Sequence, residues 1–448
     1  MRCPLAGISH PAGGTRIVRP VRSRHPMRPE IIAEYRERTP GSASLFASLE
    51  KVMPAGNTRA AAFFPPHPVI LALGEGCVVE DVDGNRYLDL LSNYTSLIHG
   101  HRHPVIEEAV RLQLDRGLVF PSPTELQGRL AQVMCGRYPS VEQVRFTNSG
   151  TEGVMMAIRA ARAFTGRDRI VTIKGGYHGS WDQVSSQQEI DETTGRPVRW
   201  VNRGIPTAVR DLVIPVTYND VAGLEGVFDT QGEEIAAVIM EPVIGEQTVL
   251  ATQEFLETAR RLTTGSGALL VFDEVVTARL AHGGVQSLRG VTPDLTAFGK
   301  IIGGGLPVGA FGGREDVMAV FDTRLPDAVP HHGTYNGNGL TMAAGLASLD
   351  LLTGDEIERI NGLGRHLADG LREMFESAGY PFRVSQVGSL LLTEAEAADD
   401  LADLHLSALL SGVYMAPRGL MCISTPMDEG VVDTVIERMA EAAGRLAV

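Results

Sequence analysis

Helical spacing of apolar residues begins near Glu30 and runs to about Val52, where Pro54-Ala-Gly56-Asn57 breaks it. Cys77 to Leu88 reads as a hairpin that turns at Asp83-Gly84-Asn85. From about residue 104 the pattern becomes short apolar runs separated by amphipathic stretches. Gln143–Thr147, Arg169–Ile173, Leu212–Pro215, Ala236–Glu241, Ala268–Asp273 and Leu295–Phe298 are the candidate strands. Ala236-Ala-Val-Ile-Met and Ala268-Leu-Leu-Val-Phe contain no polar residue to alternate, which predicts central parallel strands covered on both faces. Between them, Thr151–Phe164 puts Val154, Ala157, Ile158 and Ala161 on one helical stripe. Beyond about Asp350 the character changes. A long helix from Asp355 to Ser377 precedes an alternating stretch, Arg383 to Thr393, and a closing helix from about Gly430. The pattern predicts an α/β chain. A large domain at 104–345 carries a mostly parallel central sheet. A smaller α+β domain at 346–448 is joined by an N-terminal segment, 30–103.

The length, 448 residues, suits a large and a small domain. A net charge of -14 opposes a nucleic-acid partner, and no apolar run is long enough to span a bilayer. Cys3, Cys77, Cys135 and Cys422 share no metal-ligand spacing and read as reduced thiols of a cytoplasmic protein. Residues 1–29 hold Arg2, Arg16, Arg19, Arg22, Arg24 and Arg28 without an acid, the charge pattern of a transit peptide. Pro4, Pro11, Pro20 and Pro26 oppose the amphipathic helix such a peptide needs. The segment reads as a disordered extension, or as sequence ahead of a start at Met27.

Four segments carry candidate chemistry. Asn148-Ser149-Gly150-Thr151 follows a strand and opens a helix, so free N–H groups and the helix dipole make an anion cup. Taken alone it reads equally as an N-cap. Asp273 and Glu241 end buried strands, where open α/β sheets place ligands, and Glu274 reads as structural. Tyr177-His178, just past another strand, offers an aromatic face. Lys300 ends an apolar run and precedes Gly303-Gly304-Gly305. Ile301 after Lys300 excludes a P-loop, and Pro307 opposes a dinucleotide fingerprint. His99, His101 and His103 are too closely spaced for a metal face and read as loop residues. An amine, an acid and an anion turn are what a protein supplies to hold pyridoxal 5'-phosphate.

Phe146-Thr-Asn-Ser-Gly-Thr-Glu152, Gly175-Gly-Tyr-His-Gly179, Glu241-Pro-Val-Ile-Gly245, Phe272-Asp-Glu-Val-Val-Thr-Ala-Arg279, the run Phe298 to Arg314 and His332-Gly-Thr-Tyr-Asn-Gly-Asn338 together resemble the class III aminotransferases. The resemblance implies the aspartate-aminotransferase-like fold and a pyridoxal-phosphate enzyme. It implies that Lys300 forms the internal aldimine and that Asp273 pairs with the ring nitrogen. Tyr177 and Val275 would cover the two ring faces, and Ser149, Gly150 and Thr151 would hold the phosphate. Thr334 would reach the phosphate of a neighbouring subunit, making a homodimer with shared active sites. Within the class, the glutamate-1-semialdehyde aminomutases and the β-amino-acid (β-phenylalanine) aminotransferases are most similar. Arg59 in Pro54-Ala-Gly-Asn-Thr-Arg59 and Arg418 in Tyr414-Met-Ala-Pro-Arg418 resemble carboxylate-binding positions of the second group. Glu246 resembles a glutamate whose usual partner is an arginine in the last strand, where this chain has Cys422. Tyr94 and Phe64 are expected near the substrate. The implied reaction is transamination from a β-amino acid to a 2-oxo acid, 2-oxoglutarate or pyruvate. Aminomutase chemistry or another ω-amine donor is the alternative. The intact lysine, acid and phosphate turn oppose a non-catalytic protein of the same fold.

Overall fold

The computed structural model describes residues 27–185, 188–190, 197–200, 204–395 and 397–446, so nearly all of the expected extension, with Cys3, lies outside the described residues. Among them, no helix is long and apolar enough to cross a membrane. Val105–Gly245 and Val249–Ile357 form one compact unit, and residues 27–104, 246–248 and 358–446 belong to a second.

The first unit is built on a seven-stranded sheet in the order Gln143–Thr147, Gly309–Gly313, Leu295–Gly299, Leu269–Asp273, Ile235–Met240, Arg169–Ile173, Val213–Val216. Gly309–Gly313 runs against both its neighbours, and the other six strands share one direction. The central strands are apolar on both faces because both faces are covered. Ala237, Ile239, Leu269 and Val271 pack with Val154, Ala157, Ile158 and Ala161 of the helix Gly150–Thr165. The alternate residues Val238, Met240, Leu270 and Phe272 pack with Phe255, Leu256 and Ala259 of the helix Gln253–Ser266. This is the doubly covered sheet of the aspartate-aminotransferase-like fold.

Six strands fall within a residue of their expected positions. The seventh, Gly309–Gly313, has no apolar alternation to reveal it. Its glycines answer to backbone proximity instead. A side chain at Gly309 would run into the Ser149 carbonyl and the Thr147 hydroxyl. At Gly312 a Cβ would lie 2.6 Å from the Gln143 carbonyl oxygen.

The second unit contains a four-stranded sheet in the order Leu71–Glu75, Val78–Asp81, Arg86–Asp89, Val413–Tyr414. A second sheet is antiparallel, with Leu390–Ala395 between Phe382–Val387 and Leu420–Cys422. The expected single helix from Glu30 to Val52 is two helices, Pro29–Arg38 and Pro40–Leu49. Pro40 has no N–H to continue the first helix and pushes the preceding residue out of helical geometry. Thr39 accordingly sits at φ -127°, ψ 44°. Phe64, expected near the substrate, is a core residue instead. It is 5% exposed and packs against Tyr35 and, edge to face at 4.5 Å, against His405.

His405 is buried, and among the described residues neither ring nitrogen has a hydrogen-bond partner. Burial pushes its pKa from 6.5 down to about 3. The fold therefore keeps the imidazole neutral, while the unfolded chain protonates it near 6.5. Its contribution to stability is whole above pH 6.5 and is lost as the pH falls toward 3, by roughly 1.4 kcal/mol per unit. Urea unfolding of wild type and His405→Leu between pH 7.5 and 5 should show wild type losing more stability, with the gap opening only below about 6.5. Parallel losses would refute this.

Candidate active site

Because six strands of the large sheet run together, their carboxyl ends share one edge. Asp273 is the last residue of Leu269–Asp273, Lys300 follows Leu295–Gly299 directly, and Glu241 follows Ile235–Met240. The Asn148-Ser149 turn follows Gln143–Thr147, and Tyr177-His178 lies just past Arg169–Ile173. Gly309 is in register with both Thr147 and Gly299, so one strand separates the turn from the lysine. Val275 closes the group. A Cβ on Gly150 would lie 2.9 Å from its Cγ2, and one on Gly299 would lie 3.3 Å from its Cγ1. Lys300 is half-buried and has φ +51°, a left-handed backbone that a non-glycine residue rarely adopts.

Asp273 is 3% exposed. Its Oδ2 is 2.8 Å from His178 Nδ1, and its Oδ1 accepts the Val275 N–H at 3.0 Å. Burial by itself would lower the pKa of His178, but the hydrogen bond and charge of Asp273, with the charge of Glu241, raise it. Burial and then the charge of Asp273 push Glu241 up to about 7, against the pull of His178. Glu241 accepts N–H groups from Tyr177 at 2.9 Å and Gly245 at 3.0 Å, so it fixes the loop that carries the exposed Tyr177 ring. Glu274 is structural, as its sequence context suggested. It accepts hydrogen bonds from Thr277, Val285 and Gln286.

Ser149 caps the helix Gly150–Thr165 by accepting the Glu152 N–H at 3.2 Å, so the N-cap reading holds. It does not displace the anion reading, because the first N–H groups of the helix have no intrahelical acceptor and the Ser149 hydroxyl proton is still available to donate. Thr151 Oγ1 accepts the Ser180 N–H at 3.3 Å. Thr334 is exposed, in a turn whose Asn336 accepts from Asn148 Nδ2 at 2.8 Å. A lysine, a buried acid with a histidine partner and a helix N-terminus on one sheet edge fit pyridoxal phosphate. Sequence reasoning assigned no role to His178, because the chain does not reveal that its strand lies two places from that of Asp273.

The other candidates lie in the second unit, and there they come together. Arg59 Nη1 donates to Asn93 Oδ1 at 2.7 Å, and its guanidinium lies 5.8 Å from the centre of the Tyr94 ring. Arg418 Nη2 lies 2.8 Å from Glu246 Oε2. Tyr94 lies beneath the Arg59 guanidinium and packs against a cluster that includes Leu91, Ala416 and Leu420, the last two of which flank Arg418 in sequence. Burial raises its pKa, the charges of Arg418 and Arg59 lower it, and Glu246 raises it. Glu246 thus has an arginine partner after all, supplied by the loop before Leu420–Cys422 rather than by the strand. Cys422 is buried, with Sγ 3.5 Å from the Leu91 carbonyl.

Tyr94 belongs to an unusual segment that was not foreseen. Ser92, Asn93, Tyr94 and Thr95 have φ of 45°, 49°, 55° and 71°. Four successive non-glycine residues in left-handed geometry cost roughly 1–2 kcal/mol each. The histidine cluster contains no metal site among the described residues. His101 instead pairs with Asp89 at 2.8 Å, and His99 Nδ1 lies 3.1 Å from Thr425 Oγ1.

Residues 62–438 match the family model for class-III aminotransferases. The chain is 36% identical over 425 residues to a β-phenylalanine transaminase from Variovorax paradoxus, covering 92% of this chain and 94% of that one. It is 45% identical over 331 residues to a glutamate-1-semialdehyde 2,1-aminomutase from Syntrophobacter fumaroxidans, covering 72% and 75%. The crystal structure of an ω-transaminase from Sphaerobacter thermophilus superposes with a TM-score of 0.89 at 41% identity, covering 92% of this chain and 99% of that one. The chain belongs to the class III aminotransferases, enzymes that use pyridoxal 5'-phosphate.

Proposed function

We propose that this aminotransferase takes its amino group from a β-amino acid and passes it to a 2-oxo acid, 2-oxoglutarate or pyruvate. The observation that carries this reading is the clustering of Arg59, Tyr94, Arg418 and Glu246. Two guanidinium forks associated with one tyrosine suit a donor and an acceptor that both bear carboxylates. Similarity to a β-phenylalanine transaminase supports the choice of donor.

The Arg418–Glu246 pair is suited to exchange. The arginine side chain is 63% exposed and the glutamate 26%, so the bridge contributes about 0–1 kcal/mol. A substrate carboxylate can take the place of Glu246, and Glu246 covers the charge when no acid is bound. Arg59 lies over the Tyr94 ring and donates to Asn93.

Bound pyridoxal phosphate supplies an electron sink for the pair left when the bond to hydrogen breaks at the amine-bearing carbon. Lys300 Nζ takes that proton as general base and returns it as general acid. Asp273, oriented by His178, would pair with the ring nitrogen and keep it protonated. Tyr177 and Val275 would cover the two faces of the ring, and Ser149, Gly150 and Thr151 would hold the phosphate. We assign Thr334 to the phosphate of a second copy of the chain, which makes the functional unit a homodimer.

Similarity at 45% identity to an aminomutase supports a second reading, isomerisation without an external acceptor. Transamination requires that glutamate-1-semialdehyde alone, with no 2-oxo acid, stay unconverted; rapid isomerisation would favour the mutase.

Arg59→Ala and Arg418→Ala should each raise the KM for a carboxylate substrate roughly 10- to 100-fold, the loss of a charge-assisted pair. Steady-state kinetics with β-phenylalanine against 2-oxoglutarate and pyruvate, with Lys300→Ala as the inactive control, make the check. Unchanged constants for both acids would remove the two arginines from the site. In sedimentation the holoenzyme should run at twice the chain mass, and Thr334→Val should weaken pyridoxal-phosphate retention about tenfold. A monomer with full activity would exclude shared sites.

A further inference from the structure

We propose that Asp89 and His101 are positioning residues for carboxylate-bearing substrates, acting on Arg59 through the left-handed turn Ser92–Thr95. The proposal rests on the assignment of Arg59 to a substrate carboxylate.

Asp89 ends the strand Arg86–Asp89 and is 4% exposed. Its Oδ1 accepts two N–H groups, from Leu91 at 3.0 Å and from Ser92 at 2.8 Å. These are the last amides before the backbone enters left-handed geometry and the first within it. Its Oδ2 is held by His101 Nε2 at 2.8 Å. One carboxylate therefore satisfies two buried donors at the point where the turn starts, and the histidine fixes how that carboxylate is rotated.

His101 is itself held on two sides. Its backbone forms a two-way bridge with Gly76, at 2.8 and 2.9 Å. Its imidazole lies so close to Gly74 that a Cβ there would be 2.6 Å from Nδ1. The chain just before the turn is tied as well. Leu90 donates to the Tyr414 carbonyl at 2.9 Å, and Cys422 donates to Leu90 at 2.6 Å.

The far side of the turn faces Arg59. Asn93 Oδ1 accepts from Nη1, the Tyr94 ring lies beneath the guanidinium, and the Tyr94 hydroxyl donates to the Ala61 carbonyl. Asn93 and Tyr94 can hold Arg59 in this way only while their backbone stays left-handed, a conformation that relaxes unless its surroundings enforce it. The line of control runs from His101 to Asp89, to the Leu91 and Ser92 amides, to Asn93 and Tyr94, and so to the direction in which the Arg59 fork points. A fork misdirected by a fraction of an ångström loses bidentate pairing with a carboxylate. An amine without a carboxylate loses nothing.

The test uses the holoenzyme and two amines, β-phenylalanine and 1-phenylethylamine, the second lacking the carboxylate group. Asp89→Asn and His101→Leu should raise the KM for β-phenylalanine about tenfold while kcat stays within about twofold. Constants for 1-phenylethylamine should not move. His101→Gln, which keeps a donor near the Nε2 position, should recover most of the loss. Gly74→Ala, which displaces the imidazole while leaving both residues of the pair in the chain, should reproduce it. Hydrogen exchange at the Leu91 and Ser92 amides should accelerate in Asp89→Asn. Equal losses on both amines would reduce the pair to a structural role and overturn the proposal. So would an unchanged β-phenylalanine KM in Asp89→Asn when Arg59→Ala does raise it. If Arg59→Ala also leaves that KM unchanged, the carboxylate assignment itself has failed and the proposal falls with it.

Discussion

Asp273 is an acid at the end of a strand with no exposed residue, and much of the first unit is arranged around making that tolerable. An isolated buried carboxylate costs several kcal/mol unless it is paired and hydrogen-bonded. Asp273 gains His178 on one oxygen and the Val275 amide on the other. A second acid, Glu241, stands close enough to feel it, and two adjacent negative charges in a dry site repel strongly. Burial first, and then the charge of Asp273, shift Glu241 toward its neutral form, and its oxygens are occupied by the Tyr177 and Gly245 amides. Through the Tyr177 amide this buried acid also holds the loop that carries the Tyr177 ring. An aromatic ring that is itself exposed can still be held accurately, because its backbone is bonded to a buried acid.

Close backbone approach is the complementary constraint. The anion turn and the lysine follow different strands, with one strand between them. Gly309 lets that strand pass the Ser149 carbonyl, and Gly150 and Gly299 let both flanking segments close on Val275. The glycines here define distances rather than flexibility. A side chain at any of them would have to displace a neighbour that also borders the site.

This explains what was legible in the sequence. Ile235–Met240 and Leu269–Asp273 were readable because both faces are covered, which leaves an uninterrupted apolar run. The acid and the lysine were readable because each ends an apolar stretch, and the anion turn because its small polar residues open an amphipathic helix. Gly309–Gly313 was not, since its residues are chosen for contact with backbone and carry no periodic signal. The partnership of His178 with Asp273 depends on strand order, which is a property of the folded sheet. Phe64 was misplaced because an aromatic beside a loop looks the same whether it faces a ligand or packs on Tyr35 and His405. The left-handed turn at Ser92–Thr95 was invisible for a deeper reason. It contains no glycine to mark it, and its conformation is imposed from outside by Asp89.

The two groups of charges answer to different requirements. His178, Asp273 and Glu241 are buried, so their mutual interactions are strong and little screened. Such an arrangement suits a task that is identical in every turnover, holding one cofactor in one protonation state. Arg59, Arg418 and Glu246 are more open to solvent, where a pair contributes little and is easily replaced. The proposed reaction takes two different acids in alternation, and binding either too firmly would slow the release that the other needs. A weak internal counter-ion such as Glu246 lowers the cost of an empty arginine without competing strongly for it. With Arg59 and Arg418 assigned to carboxylates as proposed, specificity depends less on how strongly each guanidinium attracts than on where it is aimed, and the proposed role of the left-handed turn beneath Arg59 is to set that aim.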